Sequence, residues 1–403
     1  MYKTITDFNR KITLWLIVVS SISVTLPTAF MSIISALLII FWLISGNFEA
    51  KFERINSNPG AVIAIVLFGM YFIGCFYSSA PPKDSFNFLM KYLKLLLIPI
   101  IISVLVDDNY RKYALNAFLI GMLITLSLSY LKWLGIIPFD DIGQGYIVFK
   151  GRIAQNIMMS FAAFMMLEKA LTKKNSQQIG WVILSILSII NILFLVNGRT
   201  GQVTLLVLLA LFGLTHWKRK TVYILSVATT LFGICLITNH APHSRLTDIN
   251  TEVKQGTSSS AGQRMEMYST TLKTIQNHIL FGGGTGSLEN EYAVIAKQKQ
   301  SNLIRVPNPH NQYLLTFQEL GLFGLIAILY LWAAHFNLAY YLSQNNKVLL
   351  QALVICICIG ASFNSLLLDA SEGKFYCILS SILLSQYNSK AHKIKGLRKL
   401  SVC

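Results

Sequence analysis

Apolar runs of about twenty residues recur from residue 12 to residue 386 of this 403-residue chain, and that recurrence restricts the fold more than any motif does. A bilayer core demands roughly 20 apolar residues from each helix that crosses it. Apolar residues make up 54% of the chain and charged ones only 13%, about half the charge density of an average soluble domain. The expected fold class is an all-α polytopic membrane protein. Its spans are expected near 12–28, 30–46, 60–78, 87–106, 113–134, 152–168, 179–196, 200–215, 221–239, 312–341, 347–368 and 375–387, about 12 transmembrane helices. The first two form a tight hairpin around Pro27, and the last is short enough that 11 spans is also a consistent reading. The N-terminal run has no small-residue cleavage site after it and reads as a retained span rather than a signal peptide.

A formal charge of +17 is an excess that nucleic-acid-binding chains often carry, but its distribution points elsewhere. One side collects Lys3, Arg10, Lys11, Lys51, Arg54, Arg111, Lys112, Lys169, Lys173, Lys174, Lys218, Arg219, Lys220 and Lys347, and the tail KAHKIKGLRK joins them. The opposite set of short connections holds only Lys83, Lys150, Arg152, Arg199 and Lys374. By the positive-inside rule the first side is cytoplasmic, and an even number of spans puts both termini there. The expected partners are membrane lipids and not nucleic acid. The six cysteines lie in apolar runs or at the C-terminus, so neither a disulfide framework nor a zinc site is indicated.

The organisation that follows is residues 1–239 with helices 1–9, a hydrophilic extracytoplasmic loop at 240–311, three more helices in 312–387, and a basic cytoplasmic tail at 388–403. A loop that long is usually functional or disordered. This one contains RMEMYSTTLKTIQNHIL, whose Met265, Tyr268, Leu272, Ile275 and Leu280 fall near helical spacing, and then the glycine-rich turn FGGGTGS. It is expected to fold and pack on the membrane helices.

Charge inside or beside a span costs roughly 3 kcal/mol near the bilayer centre, so it marks function by default. Lys91 and Lys94 are three residues apart on one helix face, near the extracytoplasmic surface, where interface anchoring explains them about as well as a site does. Arg152 opens a span in KGRIAQN, Arg199 sits in NGRTG, and Arg264 begins the loop helix. A lone outer arginine usually meets lipid headgroups, but several cations at one face suggest a pocket for a pyrophosphate or another anionic headgroup. On the same face, PNPHNQYLLTFQELGLFG places His310 at the mouth of a helix. An imidazole there is more often a polar cap than a catalyst. As a general base it would have Asn311 or Tyr313 beside it to orient a hydroxyl. Gly321 and Gly324 would let a neighbouring helix approach closely. Glu319 reads equally as a buried partner of the site and as compensation of the helix-start dipole.

HN, nine residues, then GLFG resembles the H-[N/S/Q]-x9-G-x-x-G motif of bacterial O-antigen ligases, whose superfamily also holds O-antigen polymerases and protein O-oligosaccharyltransferases. GQRMEMYSTTLKTIQNHILFGGGTGS is similar to that family's stretch before the motif, NGRTG to its upstream arginine turn, and LLLDA supplies Asp369 near a late span. The resemblance implies a GT-C-like arrangement of helices with one large, partly helical periplasmic loop, in the bacterial inner membrane. Family members often have leucine four residues after the loop arginine, where this chain has Tyr268; Arg264 or Arg245 is then the equivalent, and Arg264 has the fitting helix and glycine turn after it.

The activity implied is transfer of a glycan from an undecaprenyl-pyrophosphate-linked donor to a sugar hydroxyl of a lipid A-core acceptor, with inversion and without a metal or other cofactor. The resemblance implies His310 as catalytic base, with Arg199 and Arg264, helped by Lys91 and Arg152, on the donor diphosphate. Asp369 would hold the histidine tautomer or an arginine, with a solvated loop carboxylate as the plain alternative. No DxD-like carboxylate pair stands on the outer face: Asp140–Asp141 reads as an exposed turn, and His240 and His243 lack a third ligand. An O-antigen polymerase, which generally has two sizeable periplasmic loops, and a protein O-oligosaccharyltransferase are the near alternatives. A lipid or polysaccharide transporter is the alternative of another class, and it should carry charges deep in several spans.

Overall fold

Proline, glycine and charged clusters interrupt the apolar runs, and each run folds as a helix. The computed structural model describes residues 2–138, 145–196, 198–217 and 260–387, with Val222, Ser226, Thr230 and Gly233 between them. The rest of the expected 221–239 span, the 240–259 part of the loop with His240, His243 and Arg245, the Asp140–Asp141 turn and the basic tail lie outside the described residues.

Helices α1 (Tyr2–Ser23) and α2 (Thr28–Ile44) form the hairpin expected at Pro27, which stands at the N-cap of α2. After Gly46 and Asn47, both at positive φ (60° and 56°), the chain turns by 116° into α3 (Phe48–Asn56). Lys51 there donates to the Trp42 carbonyl and the Ser45 hydroxyl, and Arg54 donates to the Ser103 carbonyl at 2.8 Å, while Phe48 and Phe52 stay exposed. The expected basic loop is thus an amphipathic helix of the kind that lies along a membrane interface.

Helices α4 (Pro59–Gly74), α5 (Pro82–Tyr92), α6 (Leu97–Val104), α7 (Asp108–Trp133), α8 (Arg152–Thr172), α9 (Asn175–Ile190) and α10 (Arg199–Thr215) follow. A 3-10 turn at Leu93–Leu96 joins α5 to α6. Helices α11 (Ser260–Asn277) and α12 (Leu288–Gln298) precede α13 (Gln312–Leu338), α14 (Gln344–Phe363) and α15 (Ala370–Leu384).

By length and composition five described elements can cross a membrane: Pro82–Val104, Asp108–Trp133, Asn175–Leu195, Gln312–Tyr341 and Gln344–Phe363; the bent α2–α3 pair makes a sixth, and α4 and α10 are apolar but shorter. The hydropathy reading expects about 12. The shortfall has a partial physical reason, because helices enclosed by protein need not match the hydrocarbon thickness. The short last run, α15, is the clearest case: it is buried from Phe375 to Leu384 and packs against α6 and α14. Phe375 meets Phe118 of α7 and Phe161 of α8 with ring centroids 5.6 and 5.7 Å away, so aromatic contacts tie three helices at the centre.

Helix α13 breaks at Gly321, whose φ of 66° and ψ of −162° are not helical. The amide of Leu322 leaves the helix ladder and donates to the Ile279 carbonyl at 2.8 Å. The glycine turn replaces the lost donors: Gly283 N–H reaches the Gln318 carbonyl at 2.8 Å and Gly284 N–H the Glu319 carbonyl at 2.9 Å. Glu319 is fully buried and completes this seam, its carboxylate accepting from Gly286 N–H at 2.8 Å and from the Tyr92 hydroxyl at 3.1 Å. Two sequence expectations change here. Gly321 and Gly324 admit the loop turn and the Leu320 side chain rather than a neighbouring helix, since a Cβ on either would lie 2.2 Å from the Leu280 carbonyl oxygen or the Leu320 Cβ. Glu319 anchors the turn rather than serving as a helix-start charge.

A strained φ combined with a backbone clash makes Gly321→Ala expensive. It is expected to destabilise the folded protein by about 1–3 kcal/mol, read as a lower thermal transition in detergent. Gly69→Ala, with nothing within 4 Å of the added carbon, should leave that transition in place.

Candidate active site

Two prolines and two asparagines shape the backbone ahead of α13. Asn311 caps the helix, its side-chain oxygen accepting from the amides of Tyr313 and Leu314 at 3.0 and 3.1 Å. Its amide nitrogen donates to the Ser362 carbonyl at 3.2 Å. His310 sits one residue earlier at φ 53°, a left-handed conformation that non-glycine residues seldom adopt. The Asn308 side chain holds it there by accepting from the His310 amide at 2.9 Å and from the Ser365 hydroxyl at 2.6 Å. Outside regular structure, strain of this kind marks a position that its surroundings enforce.

The half-buried imidazole enters a short relay. His310 Nδ1 lies 2.9 Å from Asn364 Oδ1, and Asn364 Nδ2 donates to Asp369 Oδ2 at 2.6 Å. A carboxylate only accepts, so the Asn364 amide must present its NH2 to Asp369 and its oxygen to the ring. The ring then carries its proton on Nδ1, which leaves Nε2 as the basic nitrogen.

The turn that bears Asn364 and Asp369 is pinned from below. Lys94, 6% exposed, donates to the carbonyls of Leu368, at 3.1 Å, and of Asp369. Gln312 Oε1 accepts from the amides of Leu367 and Leu368 at 2.8 and 3.3 Å. Gly373 leaves the space that Lys94 fills, since a Cβ there would lie 2.4 Å from the lysine Cδ. Burial raises the Asp369 carboxyl above its usual range, while Lys94, His310 and Lys91 act in the opposite direction.

The other expected cations divide into groups. Lys94 is buried and Lys91 exposed, and both lie close enough to Asp369 to favour its ionised form. Lys91 lines a cleft of about 360 Å³ together with Pro307, Asn308, Leu368 and Asp369, and a second cleft of about 340 Å³ with Asp84, Asn87, Glu289 and Asn290. Arg264 lies one turn before Tyr268, close enough to oppose the rise that burial gives the tyrosine phenol. The Tyr268 hydroxyl is 3.3 Å from the carbonyls of both His310 and Ser362. Where the family pattern has leucine, this chain therefore has a side chain that ties the loop helix to the histidine.

Arg152 and Arg199 start α8 and α10 side by side: Gly198 abuts Asn156, whose amide donates to the Val196 carbonyl at 3.0 Å. Ile157 meets Gly360 of α14 just before the Asn364 turn, so both arginines stand at the same end of the bundle as His310. Tyr313 is used structurally, its hydroxyl donating to the Cys358 carbonyl at 3.0 Å and its ring meeting Trp332 at 5.2 Å. Together with the capping role of Asn311, this leaves both side chains engaged with the protein. Among the described residues no three His, Cys, Asp or Glu side chains group as metal ligands.

Residues 183–329 match the family model described as O-antigen ligase. The match supports membership of the O-antigen ligase/polymerase superfamily. It includes Arg199, Arg264, His310 and the helix break at Gly321, whereas Lys91, Arg152, Asn364 and Asp369 lie outside it. Membership implies an O-antigen ligase- or polymerase-class enzyme that works on lipid-linked glycans in a membrane setting. No curated protein matches the chain.

Sequence reasoning passed over Asn364, Asn308 and the anchoring role of Lys94. Asn364 had one legible signal, an amide in SFNSLLLDA five residues before the aspartate. In protein labelled with 15N-histidine, the His310 Nε2 resonance of the neutral ring is expected at the position of an unprotonated nitrogen. Asn364→Leu should mix the two tautomers, and an unchanged spectrum would contradict the relay.

Proposed function

We propose that the protein is an O-antigen ligase that moves a glycan from undecaprenyl pyrophosphate onto a lipid A-core sugar at the periplasmic face of the inner membrane. The relay His310–Asn364–Asp369, at the bundle end that also bears Arg152, Arg199 and Arg264, is the observation that carries this reading. In the reaction the acceptor hydroxyl oxygen attacks the anomeric carbon from the face opposite the diphosphate. The new glycosidic bond forms as the carbon–oxygen bond to the diphosphate breaks, and the leaving group departs with the electron pair. The hydroxyl proton passes to His310 Nε2. Asp369, acting through Asn364, fixes the ring and stabilises the imidazolium without taking its proton. Arg264 and Arg199, with Lys91 and Arg152, are assigned to the charge that grows on the diphosphate, where fixed cations stabilise a leaving group directly.

Purified protein should join a lipid-linked glycan to lipid A-core, and not to a repeat unit or a peptide offered separately. Product on the repeat unit alone would make it a polymerase, and product on the peptide alone a protein O-oligosaccharyltransferase. His310→Ala should leave the protein inserted and cut transfer by about 100-fold or more, the usual contribution of a general base. Normal transfer by that variant would remove His310 from the mechanism.

A pH dependence follows from the Asp369 environment. Its ionised form accepts the hydrogen bond from the Asn364 amide N–H, so kcat/KM should fall as the pH is lowered through the Asp369 value, which burial places above the usual carboxylate range. Lys94 favours the ionised form, so Lys94→Met should move this acid limb to higher pH.

A further inference from the structure

The hydrophilic 260–311 segment contains one apolar run that the protein leaves uncovered: Ile279, Leu280 and Phe281 are 52%, 53% and 64% exposed. They are not scattered surface residues. Phe281 packs on the exposed Phe323 of α13 with centroids 5.4 Å apart, and exposed Ile326 and Leu329 continue that face along the helix. On the other side the Tyr77 hydroxyl donates to the Phe281 carbonyl at 2.7 Å, next to exposed Phe72, Ile73 and Phe76 at the end of α4. The apolar run therefore joins two faces that already have lipid-facing character.

Its depth follows from what it docks on. The break at Gly321 lies nine residues into α13, roughly 13 Å along the axis from the helix start at 1.5 Å per residue. Helix α4 has 16 residues, roughly 24 Å, against a hydrocarbon core of about 30 Å. Thr285 N–H meets the Gly74 carbonyl at the end of α4, so the turn occupies the level that α4 is too short to reach.

Irregular backbone survives at such depth only when its polar groups are paired within the protein. Here Leu322 N–H takes the Ile279 carbonyl, Tyr77 takes the Phe281 carbonyl, and Gly282, Gly283, Gly284 and Gly286 donate to His278, Gln318, Glu319 and the Glu319 carboxylate. These carbonyls and glycine amides are paired within the protein, and the side chains of Ile279, Leu280 and Phe281 are exposed.

We propose that Ile279, Leu280 and Phe281 form a tip of this segment that is immersed in the bilayer and contacts lipid acyl chains. The tip pins the segment at a set depth beside the broken helix whose mouth carries His310. This inference goes beyond the proposed function and does not rest on it.

Leu280→Cys and Phe281→Cys, made separately with the six native cysteines replaced, would be spin-labelled and reconstituted into phosphatidylethanolamine–phosphatidylglycerol vesicles. At both positions the nitroxide is expected to be more accessible to oxygen than to a water-soluble nickel chelate, as at Phe323→Cys. Exposed Asn302→Cys should show the reverse. Preferential nickel access at the tip overturns the proposal. The unsubstituted chain in the same vesicles, photolabelled with a diazirine-bearing phospholipid, gives a second answer. Adducts on residues 279–281 are expected, and adducts on the spans without any on the tip overturn it.

Discussion

Backbone groups released inside an apolar bundle must find partners, and that constraint shapes the part of this protein that carries its candidate chemistry. Breaking α13 at Gly321 exposes carbonyls where no water competes for them, each costing several kcal/mol if left unpaired. The 282–286 turn satisfies them, with Glu319 and Tyr92 closing the seam. Because the turn follows α11, the same hydrogen bonds that repair the helix also bring Arg264 and Tyr268 toward its mouth. The helix break and the loop's position are consequences of one interaction.

The site is built from groups that position one another. An amide between the imidazole and the carboxylate lets Asp369 set the ring tautomer without sharing its proton, because an amide does not titrate near neutral pH. Lys94, Gln312 and Asn308 hold the turn and the histidine from three directions. Such preorganisation is what a proton-accepting group needs, since it avoids reorganisation when charge develops. The exposed Lys91 differs from this rigid set: it lines both clefts beside the turn.

The residue types of the site were legible in the sequence, but most of their roles were not. His310 and Arg264 stood out because a charged or polar group beside an apolar run is costly and hence conspicuous, the turn stood out by its glycines, and Asp369 only through the family resemblance. Asn364 was hidden because an asparagine in a short turn is ordinary, and only its distances to His310 and Asp369 distinguish it. Helical periodicity put Lys91 and Lys94 together, but only the packing shows that Lys94 is buried while Lys91 stays exposed. The glycines of GLFG were correctly seen as a site of close approach, but the partner was a loop distant in the chain rather than a helix.

By itself the sequence determined the helical, membrane-type character of the protein, the hairpin at Pro27 and the location of the conspicuous polar groups, because hydropathy and proline geometry act over a few residues. The tertiary structure alone decided that the shortest terminal run is the buried centre, that α3 turns aside as an amphipathic helix, and that an amide links histidine to aspartate. Each of those depends on residues far apart in the chain meeting within hydrogen-bonding or packing distance, and no local pattern encodes which distant group will satisfy a buried polar atom.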